Sequence, residues 1–198
     1  MTMTERQRDD DVPGDGDRPH LGGPEPGVVF GRLFDAHARP LHRYLARRIG
    51  PDTAHDLVSE TFLVAFDQRH SYDPRRAAVR SWLYGIATNL LRRHVRQEVR
   101  GLRAMARSAG AAPGTESSHD SRVAARVDAA ARAVELAAAL AELSEGDRDV
   151  LLLTSWAGLD TAEVADALGI PAGTVRSRLH RVRKWLRANA SREVAGDE

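Results

Sequence analysis

The sequence predicts an all-α fold made of two small helical domains joined by a flexible linker. Apolar residues recur at three- and four-residue steps over residues 28–100 and again over residues 134–190, which is typical of helices with one buried face. Residues 101–133 separate these stretches, and their centre is rich in Ser, Gly and Ala without apolar periodicity. No segment has the alternating pattern of a β-strand. A chain of 198 residues can hold two such domains.

Composition narrows the class of protein. The chain has no cysteine, which excludes disulfides and thiolate metal sites within it. Because it has no run of about 18 apolar residues and no signal-peptide pattern, we expect a cytoplasmic protein without direct membrane insertion. The net charge is only +1, but arginines cluster in residues 92–107 and 176–187 and suit phosphate and guanine recognition. An arginine- and alanine-rich composition equally fits a GC-rich genome.

The first domain follows an acidic tail. Residues 1–27 are rich in Asp, Gly and Pro and are predicted to be disordered, because they bury too little apolar surface to offset their ordering entropy. The tail is acidic through Asp9, Asp10, Asp11, Asp15 and Asp17. Structure is expected from about residue 28, with one helix ending and another starting at Gly50-Pro51-Asp52. Residues 70–79 form a predicted loop, and a third helix starts near residue 80.

The second domain has clear helix boundaries. Its predicted helices cover residues 134–143, 145–156, 161–168 and 171–188. Ser144 precedes Asp147 at capping-box spacing, as Asp160 precedes Glu163, and Gly169 stands where a helix would end. Residues 161–186 therefore predict a helix, a tight turn and a second helix, which is the spacing of a DNA-binding helix-turn-helix.

The last helix separates apolar from basic residues. At about 100° per residue, one stripe carries Val175, Leu179, Val182 and Leu186. The opposite face holds no acid, and recognition helices place their N-terminal residues against base edges. The residues predicted to read bases or nearby phosphates are Arg176, Ser177, His180 and Arg181, with Lys184 and Arg187 placed on the DNA backbone. A solvated basic face on a purely structural helix is the alternative.

The second helix carries an exposed leucine in an acidic stripe. A helical wheel puts Asp56, Glu60, Leu63 and Asp67 opposite the apolar side. An apolar centre with charged neighbours suits a protein contact, although an ordinary solvated face with one stray leucine fits the same pattern.

The third helix combines an aromatic residue with basic ones. Trp82, Asn89, Arg93 and Arg96 share a sector beside a packing side of leucines. Stacking and cationic groups together suit single-stranded or melted DNA. A core tryptophan beside a solvated arginine face is the competing interpretation.

Three segments, taken in order, resemble the sigma factors of bacterial RNA polymerase. Residues 56–62 (DLVSETF) resemble the helix that grips the β′ subunit, residues 81–90 (SWLYGIATNL) the promoter-melting helix, and residues 170–179 (IPAGTVRSRL) the helix that reads the −35 element. Their order and the linker resemble the extracytoplasmic-function group, which keeps only sigma domains 2 and 4. Domain 2 would cover residues 28–100 and domain 4 residues 134–190.

The resemblance implies a role for each set of residues. Core polymerase (β′ and β subunits) would bind Asp56, Glu60 and Leu63. The −10 element would be held by Tyr72, Asp73, Trp82, Asn89, Arg92, Arg93 and Arg96, with a flipped base captured in the loop. The −35 element would be read by Thr174, Arg176, Ser177, His180, Arg181 and Lys184. The resemblance further implies promoter DNA and an anti-sigma factor as partners, no cofactor or metal, and no catalysis.

Two other classes of protein are considered. A stand-alone helix-turn-helix regulator would bind an operator and never touch polymerase, but it has no need of the acidic stripe or the Trp-Asn-Arg helix. An enzyme is disfavoured because the usual metalloprotease, nucleotide-binding and nucleophile motifs do not occur. His37 and His42 lie five residues apart on one helix, a poor spacing for a shared metal, and are expected to be packing or surface residues.

Overall fold

The computed structural model describes residues 17–109, 140 and 142–195, and the part of the chain it describes contains helices and no strand. The helices are α1 (Pro26–Ile49), α2 (Pro51–Asp67), α3 (Val79–Ala109), α4 (Glu145–Ser155), α5 (Thr161–Leu168) and α6 (Ala172–Ala195), with a short 3₁₀ turn at Arg69–Ser71. The predicted all-α fold is confirmed.

The first three helices form a bundle around a leucine-rich core. Leu41 and Leu45 of α1 and Leu83 of α3 are fully buried. Gly50 joins α1 to α2 in a left-handed conformation (φ 83°), and its N–H donates to the carbonyl of Ala46. A residue with a Cβ is strained at such a φ, so the predicted stop at this position has a backbone cause.

Residues 17–27 are structured, although the sequence predicts disorder up to residue 27. Leu21 is only 2% exposed, and the carbonyl of Asp17 accepts a hydrogen bond from the N–H of Val79 at 2.8 Å. Arg18 donates to the carbonyl of Pro74 at 2.6 Å. One leucine within an otherwise polar segment anchors residues 17–25 on the bundle, which composition averaged over the whole tail conceals. Residues 1–16 of the predicted tail lie outside the described residues.

Helix α3 extends nine residues into the predicted linker, from residue 101 to Ala109. Leu, Arg, Ala and Met, which dominate this extension, are strong helix formers, so the helix continues beyond residue 100. The remainder of the linker and most of the expected helix at residues 134–143 lie outside the described residues.

The capping residues of the second domain act as the sequence predicts. The Ser144 hydroxyl accepts from the N–H of Asp147, and Asp160 and Glu163 form a reciprocal capping box at the start of α5. Gly169 (φ 63°) ends α5 in the left-handed conformation. The side-chain caps at the starts of α4 and α5 satisfy backbone N–H groups that have no partner within the helix.

The two helical groups pack against each other and share one continuous core. Helix α3 lies on α5, where a Cβ added at Gly85 would stand 2.5 Å from the carbonyl oxygen of Ala167. The absence of a side chain at Gly85 therefore permits the close approach of the two helices. The sequence predicted two separate helical modules, and the structure adds an extensive contact between them.

Candidate functional site

The acidic stripe of α2 faces outward, as the helical wheel predicts. Leu63 is 67% exposed and Asp56 is also exposed, whereas Leu57 and Phe62 on the other side of the helix are buried. Glu60 is half-buried, and its carboxylate forms an ion pair with Arg93 of α3. The surface thus offers an apolar side chain between negative charges, and one of those charges is partly neutralised from within the domain.

The predicted base-capture loop packs against α3. Tyr72 is 9% exposed, its ring lies 5.0 Å from that of Trp82, and its hydroxyl donates to the carbonyl of Ala77 at 3.0 Å. Burial raises the pKa of Tyr72 to about 12, so the hydroxyl remains a donor. Asp73 is exposed and accepts from the N–H of Arg75 at 2.9 Å, which shapes the turn. A base contact by Tyr72 remains a prediction and requires this loop to rearrange.

The remaining residues predicted for the −10 element lie along one side of α3. Asn89, Arg93 and Arg96 are exposed, whereas Arg92 and Trp82 are half-buried. Arg92 is held by α4, where it contacts Glu145 at 3.0 Å and Asp149 at 2.6 Å. The second domain therefore forms ion pairs with an arginine that the sequence assigns to the −10 element.

Asp149 of α4 is the centre of this contact between domains. Its side chain is fully buried, with one carboxylate oxygen 2.8 Å from Arg48 of α1 and the other 2.6 Å from Arg92 of α3. Sequence reasoning missed this residue. The available signal was its position on the apolar stripe of α4, three and four residues before Leu152 and Leu153.

The outer face of α6 is basic and accessible. Val175, Leu179 and Val182 are buried as predicted, but Leu186 is 38% exposed. The exposed residues of the predicted recognition face are Arg176, Ser177, His180, Arg181 and Lys184, and Thr174 is half-buried. The Ser177 hydroxyl donates to the carbonyl of Thr174, and Arg181 contacts Asp147 at 3.0 Å while 64% of its side chain stays exposed.

Comparison with known proteins identifies the family. The family model of Sigma-70 region 2 matches residues 33–101, and that of Sigma-70, region 4 matches residues 133–186. The chain belongs to the sigma-70 family. The exposed stripe of α2 and the α3 residues fall in region 2, and the helix-turn-helix falls in region 4.

Individual relatives refine this assignment. The RNA polymerase sigma factor CnrH of Cupriavidus metallidurans is 33% identical over 169 residues, which cover 81% of this chain and 85% of that protein. The ECF RNA polymerase sigma factor SigL of Mycobacterium tuberculosis is 33% identical over 156 residues, covering 78% and 85%. A solved structure of CnrH in complex with the cytosolic domain of CnrY superposes with a TM-score of 0.60 at 28% identity, over 89% of this chain and 98% of that one. The predicted extracytoplasmic-function family is confirmed.

No helix within the described ranges is long and apolar enough to cross a membrane.

Proposed function

We propose that this sigma factor works in the cytoplasm, binds core RNA polymerase through α2, and directs it to promoters whose −10 and −35 elements are read by α3 and α6. The observation that carries the proposal is the accessible pair of surfaces, acidic and apolar on α2 and basic on α6, within the matched regions 2 and 4. The protein catalyses no reaction of its own in this proposal; it positions the polymerase and helps to open the DNA.

The polymerase contact is assigned to Asp56, Glu60 and Leu63. Leu63 offers an exposed apolar side chain that the partner would bury at the centre of the contact, and the two carboxylates complement basic residues of the partner. Because Glu60 already pairs with Arg93, its contribution depends on whether the partner displaces that arginine.

The DNA contacts are divided between the two domains. On α6, Arg176, Ser177 and His180 are aimed at base edges, and Thr174, Arg181 and Lys184 at phosphates or their neighbours. On α3, Arg93 and Arg96 are accessible to the −10 strand, whereas Arg92 becomes available only when α4 moves away. The use of Arg92 in promoter binding therefore requires the contact around Asp149 to open.

An anti-sigma factor is the expected inhibitor. CnrH, which resembles this chain over most of both lengths, has been solved in complex with the cytosolic domain of CnrY. A partner that holds the two domains together would keep Arg92 on Asp149 and withhold it from DNA.

The test is reconstituted transcription with purified core polymerase and a promoter library. A double substitution, Asp56→Ala with Glu60→Ala, is expected to weaken polymerase binding by about tenfold, or about 1.4 kcal/mol, because two charges at the contact are lost. Binding to a −35 fragment is expected to stay unchanged. Asp35→Ala with Asp166→Ala, at exposed positions on α1 and α5, is the charge-matched control and should behave as wild type.

The outcome against the proposal is equally specific. If the wild-type chain gives no promoter-dependent transcripts, or the double variant binds core polymerase as tightly as the control, the assignment of α2 fails. Operator binding without polymerase binding would instead favour a stand-alone regulator.

A further inference from the structure

An arginine-lined cavity of about 440 Å³ lies where α1 and α3 meet the C-terminal end of α4. Arg43 and Arg47 reach it from α1, Arg80 from α3, and His37 and Trp156 complete its polar and aromatic lining. None of the described residues that line it is acidic.

The positive charge of this cavity is only partly neutralised. Arg80 contacts Glu163 at 3.3 Å and donates to the carbonyl of Ala157 at 2.5 Å. Within the described part of the chain, neither Arg43 nor Arg47 forms an ion pair; Arg47 lies over the ring of Trp156 at 5.7 Å. A concave site with one sign of charge concentrates a ligand of the opposite sign.

The acidic tail enters the described structure at the edge of the cavity. The carbonyl of Asp17 accepts from the N–H of Val79, which directly precedes Arg80. Burial lowers the pKa of His37, the negative charge of Asp17 opposes that shift, and Arg80 reinforces it, so Asp17 lies within electrostatic range of this lining residue. Residues 9–17 contain five aspartates and no basic residue.

We infer that the acidic segment of residues 9–17 docks in the cavity formed by Arg43, Arg47 and Arg80. Reach permits this, because Asp15 is two residues from the anchored Asp17 and Asp9 is eight residues away, or about 26 Å when extended. The docked segment neutralises the positive charge that Arg43 and Arg47 leave without an ion pair among the described residues. The inference does not depend on the polymerase contact.

The test uses the full chain and distances between two spin labels. Because the chain has no cysteine, Gln7→Cys with Ala36→Cys places one label in the tail and one on an exposed residue of the cavity wall. At low salt we expect a narrow population of short distances between the two labels. At about 1 M salt, where the Debye length is only about 3 Å, this population should broaden and shift to longer distances.

Two charge variants with matched controls locate the contact. The narrow population should disappear in a variant that carries Asn in place of Asp9, Asp10, Asp11 and Asp15. It should persist in the control variant Arg6→Gln with Arg8→Gln. On the cavity side, Arg43→Gln with Arg47→Gln should abolish it, and Arg32→Gln with Arg39→Gln, at exposed positions of the same helix, should not.

A broad distribution of label distances at low salt, in the chain without charge substitutions, would mean that the segment does not dock in the cavity. That result would overturn the inference. The same holds if the aspartate or cavity variants keep the narrow population. Transcription assays on these chains report separately on the proposed function, because a chain inactive with polymerase can still dock its tail.

Discussion

A single buried carboxylate, Asp149, joins the two domains. Removing a carboxylate from water costs several kcal/mol unless its charge is compensated, and here each oxygen meets an arginine from the other domain. Arg48 and Arg92 are themselves only 11% and 23% exposed, so removal of the acid would leave two poorly solvated cations. Removal of Asp149 alone is therefore expected to destabilise the protein by more than the net stabilisation that the intact ion pairs provide.

Asp149→Asn is expected to lower the free energy of unfolding by about 3–5 kcal/mol, because one partner of a buried ion pair is lost while the other charges remain. Urea denaturation followed by circular dichroism measures this change. Asp166→Asn, at an exposed position on α5, is the control and should stay within about 0.5 kcal/mol of wild type. A loss of similar size in both variants would contradict the role given to Asp149.

Arg176 is the residue on which the −35 prediction depends most. It is exposed near the N-terminal end of α6, where recognition helices read bases. Arg176→Ala is expected to weaken binding to a −35 duplex by about 1–3 kcal/mol and to relax specificity at one base pair. Fluorescence anisotropy with single-base variants of the duplex measures both effects. Arg39→Ala on α1 should change neither, and an equal loss on every duplex would reassign Arg176 to a phosphate.

At the scale of single elements, α5 shows how local sequence positions a site. It has only eight residues, too few to be stable alone, and it depends on its capping box and on packing. Because α5 supports the turn into α6, its start influences the orientation of the recognition helix.

Asp160→Ala removes the side-chain acceptor for the N–H groups of Ala162 and Glu163. We expect a loss of about 1 kcal/mol in stability, the usual cost of a missing N-cap. Asp160→Asn should recover most of it, since asparagine also caps helices. Thermal denaturation of wild type and of the two variants measures these differences in stability. Equal melting midpoints for the alanine variant and wild type would exclude a stabilising cap.

At the scale of the whole molecule, the interface between domains opposes the proposed DNA-bound state. It holds Arg92 against α4 and requires α3 and α5 to approach closely at Gly85. The balance between closed and open forms then decides how much of the protein can bind a promoter.

Gly85→Ala is expected to separate α3 from α5, because the new methyl would stand 2.5 Å from backbone that cannot rotate away. Small-angle X-ray scattering should show a larger radius of gyration than for wild type. Gly31→Ala, in α1 where nothing lies within 4 Å of the added methyl, is the matched control. Unchanged scattering from Gly85→Ala would mean that the two helices adjust without opening.

The sequence alone determined the elements, their caps and their faces. The stop at Gly50, the capping box at Asp160, the outward Leu63 and the buried Val175 all follow from interactions within a few residues, which helical periodicity and capping preferences record. Three segments in order also sufficed to predict the family.

Only the tertiary structure decided how these elements meet. Arg48 and Asp149 are 101 positions apart, and Arg92 and Asp149 are 57 apart, so no local pattern relates them. The same holds for Gly85 against Ala167 and for the burial of Leu21. Such contacts depend on where the folded chain brings distant residues together, and periodicity within one helix carries no information about its partner.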